Sequence, residues 1–362
     1  MTPLGTEADT FLAKTRARID AMVNSFLTQK ANTAPSPYQA ELATVLRDFL
    51  AGGKRLRPLL CVAGWHAADG QGDTTAVTRL AASLELFHAF ALIHDDVMDA
   101  SDTRRGRPTL HRTLTAQHRS TPHSHHDPHA LERFGTNAAI LLGDLALTWA
   151  DELLHTTPIC EPHRTTVLHC LDTMRTEIMT GQYLDLLTTG TPTPDLDTAL
   201  TVIHYKTATY TVQRPLHLGA LLAAASQPVL DACTAYGLPL GEAFQLRDDL
   251  LDTFGTPSQT GKTCLDDLRQ GKHTALLALA LSHADPAQTA RLRSLVGRPD
   301  LTEETAAEIR ALLTDTGARA IVEKMIATRH RQAMAALDTA PFPPAATKVL
   351  ARLADRATAR TS

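Results

Sequence analysis

The pattern Asp-Asp-x-x-Asp occurs twice in this chain, as Asp95, Asp96 and Asp99 in LIHDDVMD and as Asp248, Asp249 and Asp252 in FQLRDDLLD. Both copies lie in apolar runs with helical spacing. Positions i and i+4 share a helix face, so Asp95 and Asp99 point one way, as do Asp248 and Asp252. Three carboxylates on one turn repel one another unless a cation lies among them. Hard oxygen ligands of this kind suit Mg²⁺, which binds through one or two carboxylates plus substrate phosphates. Two such turns facing each other across a cavity would clamp a diphosphate. One copy alone reads as a solvated helix face or an N-cap. Two copies, each preceded by apolar residues (Ala91, Leu92, Ile93; Ala243, Phe244, Leu246), do not, because a buried carboxylate without a partner is costly.

Cationic groups lie beside these motifs. GGKRLRP, 52–58, places Lys54, Arg55 and Arg57 where a loop enters a helix, with Pro58 in the first turn. Basic side chains at a helix N-terminus form an anion site. Arg104 and Arg105 follow Asp99 closely. Lys206 and Thr207 lie in an otherwise apolar stretch, and Gln182 and Asp185 in another. After the second motif come Lys262, Asp266, Asp267 and Lys272. Singly these are solvated charges. Together they supply what a metal-bridged diphosphate needs, because metals and cationic side chains neutralise different oxygens.

The elements that must carry these residues are helices. Ala, Leu, Arg, Glu and Gln fill long segments, strand signals are almost absent, and Pro/Gly breakers separate the segments. Expected helices include 56–68, 74–100, 135–155, 162–187, one continuous helix over 195–225, and 228–254. Composition does not divide the 362 residues, which predicts one all-α domain spanning 1–362, a bundle around a central cavity. The stretch 111–134 carries His111, His118, His123, His125, His126 and His129. Its spacing fits no standard zinc pattern, and it reads as a solvated surface loop.

Formal net charge is −4, so no nucleic-acid field is implied. The five cysteines lack metal spacing and fit reduced thiols in a cytosol. No membrane span and no signal peptide is expected.

GGKRLRP, ELFHAFALIHDDVMDASDTRRGRPTLH, GQYLDL, YKTAT, GEAFQLRDDLLDTFG and TGKTCLDDLRQGKHTAL, in this order, resemble the trans-isoprenyl diphosphate synthases, or polyprenyl synthetases. The likeness runs from about residue 50 to about 280. Leu265 departs from it, standing where members carry glycine ahead of the aspartate aligned with Asp267.

The resemblance implies head-to-tail joining of isopentenyl diphosphate to an allylic diphosphate. It places Asp95 and Asp99 on two Mg²⁺ ions and Asp248 on a third, supported by Asp96, Asp249 and Asp252. It puts Arg104, Lys206 and Lys262, assisted by Lys272, on the allylic diphosphate. It puts Lys54, Arg57, His88 and Arg105 on isopentenyl diphosphate, and Thr207 and Gln245 at the reacting centre. It implies a homodimer, and the apolar second face expected for 135–155 suits a partner subunit; a cytoplasmic location is expected from the reduced thiols.

Phe87, Phe90 and Ala91 lie below Asp95 on the same helix and bear on product length. Helical angle favours Phe87 as the floor. The resemblance favours Phe90 and a twenty-carbon product, geranylgeranyl diphosphate, with farnesyl or longer chains as alternatives. A class I terpene cyclase needs no isopentenyl site, and a non-catalytic partner subunit typically loses one aspartate motif. A His-loop metal-binding protein leaves the aspartates unexplained.

Overall fold

In the computed structural model, residues 4–121, 127–256 and 265–358 are described, with side chains from Glu7 onward. The chain forms two compact units: residues 1–62 with 71–160, and residues 63–70 with 161–362.

The first unit is built on α4, Thr75–Met98. Leu80, Ala81, Leu84, Phe87, Ala89 and Ile93 bury nearly every face of this helix. A helix apolar all round belongs in a core, and each such Leu contributes roughly 1.5–3 kcal/mol on burial. It packs against α6 (Pro128–His155) and α1 (Leu4–Asn32). The sequence led us to expect no membrane span. By length and composition α4 does qualify as one, yet 67% of its most apolar window is buried within the protein. That burial is the mark of a core helix.

Helix α1 packs on α2 (Pro37–Phe49), whose N-cap Ser36 accepts from Gln39 N–H at 3.3 Å, with Pro37 opening the first turn. Helix α3, Leu56–Ala67, follows the GGKR loop. Beyond α4 comes a short antiparallel hairpin, β1 (Thr103–Arg104) with β2 (Arg107–Pro108).

The surface loop expected at 111–134 is mostly helix. α5 spans Leu110–Arg119, and α6 begins at Pro128 rather than at 135. Leu110 and Leu114 fix α5 against α6, and His111 is buried with them at 6% exposure. His118 stacks on Phe134 with ring centroids 3.8 Å apart. Scarce apolar residues at helical spacing were enough to pin this segment down. His123, His125 and His126 lie outside the described residues.

In the second unit, α7 (Glu161–Thr188) and α10 (Gln227–Phe254) flank the stretch expected as one helix over 195–225. That stretch is three pieces: α8 (Leu196–Val202), a π-helix (Ile203–Gln213) and α9 (Arg214–Leu222). π-Helix is rare and gathers at functional sites. Pro215 has no N–H to return to Thr211 in an α ladder. The Arg214 N–H bonds instead to Thr209 C=O, five residues back.

The wide coil is seated by glycines on both sides. A Cβ on Gly181 of α7 would lie 2.4 Å from Lys206 N, and one on Gly241 of α10 would lie 2.4 Å from Ala208 Cα. Both obstacles are backbone, so only glycine fits. On its other side α10 packs against the helix Ala318–Thr339.

Candidate active site

The first aspartate cluster ends α4. Asp99 is its C-cap, donating its N–H to Asp95 C=O at 2.8 Å. Asp95 and Asp99 are half-buried, while Asp96 is 1% exposed and turned inward. Arg104 meets it, with Nη2 at 2.6 Å and Nε at 2.7 Å from Asp96 Oδ1, and Nη2 3.3 Å from Asp95 Oδ2. Burial raises the Asp96 carboxyl, against the pull of Arg104. Burial works most strongly against the Arg104 charge, but Asp96, Asp95 and Asp99 together outweigh it and the guanidinium pKa rises. Asp96 Oδ2 has no hydrogen-bond partner among the described residues.

Arg104 is held by the hairpin. Arg104 and Arg107 pair across a two-residue turn, Arg105-Gly106, with φ of +53° and +72°. Positive φ at both central residues is the type I′ pattern, which matches strand twist. A non-glycine residue there carries strain of about 1–3 kcal/mol. The turn brings the Arg105 guanidinium onto Gly53, where an added Cβ would come within 2.9 Å of Nη1.

Gly53 belongs to the GGKR loop, in which Gly52, Gly53 and Arg55 all have positive φ. Arg55 is not part of an open basic cluster, as the sequence suggested. It is 6% exposed, with Nε 2.6 Å from Asp20 Oδ1 and Nη1 2.5 Å from Glu85 Oε1, and its Nη2 donates to Leu50 C=O at 2.6 Å. Burial opposes its charge, but Glu85 and Asp20 outweigh that and its pKa rises. Removing one partner of a buried pair such as Arg55–Glu85 costs about 3–5 kcal/mol. Sequence reading missed Asp20 and Glu85. No local spacing links position 20 or 85 to 55.

Arg57 Nη1 lies 3.0 Å from His88 Nε2. Arginine only donates, so Nε2 accepts and Nδ1 carries the proton. Burial first, then Arg57, Arg105, Arg104 and Arg55, holds His88 well below the ordinary imidazole value. A neutral ring thus sits among guanidiniums. Burial likewise lowers Arg105, with neighbouring arginines adding to the effect. Lys54 is exposed at the edge of the same loop. Lys54, Arg57, His88 and Arg105 therefore share one locality.

In the second unit, Thr207 Oγ1 donates to Gln245 Oε1 at 2.7 Å, and Gln245 Nε2 donates to Asp249 Oδ1 at 2.8 Å. This relay ties the π-helix to the aspartate turn of α10. Asp249 is buried, and burial pushes its carboxyl well up; Gln245 counteracts this, while Asp267, Asp252 and Asp248 reinforce it. Asp248 and Asp252 are half-buried.

Lys206 Nζ lies 2.7 Å from Asp185 Oδ2 of α7, so neither is a plain solvated charge. Lys272 Nζ lies 4.0 Å from Asp267 Oδ1. Lys262 lies outside the described residues. Phe87 is 1% exposed, and its ring centroid lies 5.4 Å from that of Phe90. Phe90 is half-buried, with its ring 4.7 Å from His94, and Ala91 is half-buried.

Among the described residues, no three His, Cys, Asp or Glu side chains form a ready cage for a metal ion. Paired carboxylates at i and i+4 beside a buried oxygen lacking a partner still fit Mg²⁺, which keeps waters and shares its shell with substrate phosphates.

A predominantly helical chain with two aspartate turns and separate cationic groups has the features of an isoprenoid diphosphate enzyme. The polyprenyl synthetase profile matches residues 39–313, and the chain belongs to that family; it is a prenyltransferase of the trans-isoprenyl diphosphate synthase type. A crystal structure of geranylgeranyl pyrophosphate synthase from Corynebacterium glutamicum, complexed with isoprenyl diphosphate and magnesium, aligns with TM-score 0.91 and 39% identity. That alignment covers 96% of this chain and 99% of the other. Geranylgeranyl diphosphate synthase of Methanosarcina mazei is 33% identical over 280 residues, 76% of each chain. Geranylfarnesyl diphosphate synthase of Aeropyrum pernix is 30% identical over 271 residues, 74% of this chain and 77% of that one.

The His88 environment yields a pH prediction. Its folded pKa is depressed below the free value of 6.5, so its neutrality stabilises the fold above that pH. That contribution is lost as pH falls below 6.5 toward the folded value. The His88 C2–H resonance should therefore stay in its neutral position from about pH 6.5 to 8, and added diphosphate should raise its midpoint. A free-enzyme midpoint at or above 6.5 would contradict this account.

Proposed function

We propose that this synthase condenses isopentenyl diphosphate with allylic diphosphates to give geranylgeranyl diphosphate, as a cytoplasmic homodimer using three Mg²⁺ ions, with residues 1–362 acting as one catalytic domain. The observation that carries the reading is that the first unit holds two unlike polar groups, each suited to a diphosphate in its own way. One is the carboxylate turn of Asp95 and Asp99, suited to a metal-bound diphosphate. The other is the group around His88, where Arg57 and Arg105 suit a diphosphate directly. Two diphosphate sites favour a synthase over a terpene cyclase, which needs one.

Bound Mg²⁺ would neutralise the diphosphate that leaves when the allylic C–O bond ionises. In this reading Asp95, Asp99 and Asp248 hold it, with Asp96, Asp249 and Asp252 in support. Arg104 steadies Asp96 and offers its remaining N–H groups to the allylic diphosphate, alongside Lys206, Lys262 and Lys272. Lys54, Arg57, His88 and Arg105 orient isopentenyl diphosphate. His88, being neutral, donates from Nδ1 without adding charge. Thr207 and Gln245 line the reacting centre. Apolar side chains of α4 keep water off the cation. The released diphosphate is the base for the final proton, so the chain supplies none.

Condensation should require Mg²⁺ or Mn²⁺, and Asp95→Ala or Asp248→Ala should cut turnover by about 10² or more, with unchanged helical circular dichroism. Near-normal rates in either variant would sink the metal-clamp reading.

Product length rests on the aromatic pair beneath a small residue, Phe87 and Phe90 below Ala91. The relatives named above differ in product, so the pair is the local support for twenty carbons. Product chromatography of Phe87→Ala and Phe90→Ala should reveal longer chains in one variant, which identifies the floor. Unchanged products in both would remove the basis for that length.

The dimer is supported by α6, whose Leu141 is 69% and Ile140 39% exposed, an apolar face with no cover in the single chain. Sedimentation at micromolar concentration should give twice the chain mass; a fully active monomer would refute it.

A further inference from the structure

Asp20 lies on α1, ahead of the residues 39–313 that the family profile matches. We propose that Asp20, acting through Arg55, is a positioning residue for the isopentenyl diphosphate site. The inference rests on the reading above that Lys54, Arg57, His88 and Arg105 hold that substrate.

Arg55 stands between Lys54 and Arg57 in sequence. It has φ of +52°, and its carbonyl accepts the Leu59 N–H at 2.9 Å, which opens α3. Arginine has no intrinsic preference for a left-handed backbone. What holds it there is a guanidinium fixed at three points on three elements: Asp20 of α1, Glu85 of α4 and the Leu50 carbonyl at the end of α2.

Glu85 and Leu50 are buried, while the Asp20 side chain is one-third exposed, so it closes the anchor from the solvent side. With Asp20 gone, nothing bonds Nε, and relaxation of the backbone at 55 shifts the peptides on both sides. Those peptides carry Lys54 and lead to Arg57. They also carry Gly53, on which the Arg105 guanidinium rests. Asp20 acts through charge as well. With Glu85 it supplies the counter-charge to the Arg55 guanidinium.

The test is steady-state kinetics with isopentenyl diphosphate and farnesyl diphosphate varied in turn. Asp20→Ala should raise the KM for isopentenyl diphosphate about tenfold, roughly one charge-assisted hydrogen bond. Asp20→Asn, which keeps an acceptor oxygen and suits the case where Ala impairs folding, should raise it less. The farnesyl diphosphate KM and kcat should stay within about twofold. Arg57→Ala is run alongside to test the underlying reading. If Arg57→Ala raises the isopentenyl diphosphate KM and neither Asp20 variant does, the positioning role is wrong and the site assignment stands. If Arg57→Ala leaves that KM unchanged, the site assignment itself fails. A parallel fall in both substrates' apparent affinity, kcat and Tm in the Asp20 variants marks a merely structural residue and overturns the proposal.

Discussion

Asp96 and Arg104 meet at 2.6 Å inside the first unit, and this contact lets three aspartates share one helical turn. Carboxylates at adjacent and i+4 positions repel, and an uncompensated charge in a buried helix is expensive. Arg104 draws Asp96 inward and touches Asp95, which leaves the Asp95–Asp99 pair on the opposite side of the bargain: close, half-buried and suited to a cation. The contact needs the hairpin, because only a tight reversal after Asp99 returns Arg104 to the helix it has just left. The same reversal puts Arg105 on the GGKR loop. One ion pair therefore links the acidic turn to the basic site.

The second turn meets the same repulsion in another way. Asp249 receives an amide hydrogen from Gln245 rather than a guanidinium, and three other carboxylates reinforce the rise of its pKa. In the first cluster a guanidinium meets the buried carboxylate; in the second an amide does. Gln245 in turn is set by Thr207 of the π-helix, and that helix is set by the glycines that admit it between α7 and α10. Side-chain chemistry here rests on how closely backbones approach.

Much of the fold was legible. Helical spacing and breaker residues located most helices, since period and punctuation are local properties. What failed depended on neighbours. The histidine-rich stretch looked solvated, yet Leu110, Leu114 and a His118–Phe134 stack were enough to dock it on α6. Residues 195–225 looked like one helix, and the π-helix arises where that segment meets two flanking glycines. Arg55 looked like one more cation of an anion site, and its partners are 35 and 30 residues away.

The sequence by itself determined the two aspartate turns, their order, the cationic residues that accompany them and the helical class. These follow from residue type and short-range spacing, which the 3.6-residue period converts directly into a shared face. Only the tertiary structure decided which of the charges are spent on one another. Asp96 with Arg104, Arg55 with Asp20 and Glu85, and Lys206 with Asp185 are pairings between elements, and no pattern along the chain encodes them. The reason is physical. A charge's role depends on what lies within a few ångströms and how much water remains, and both are set by packing between segments distant in sequence.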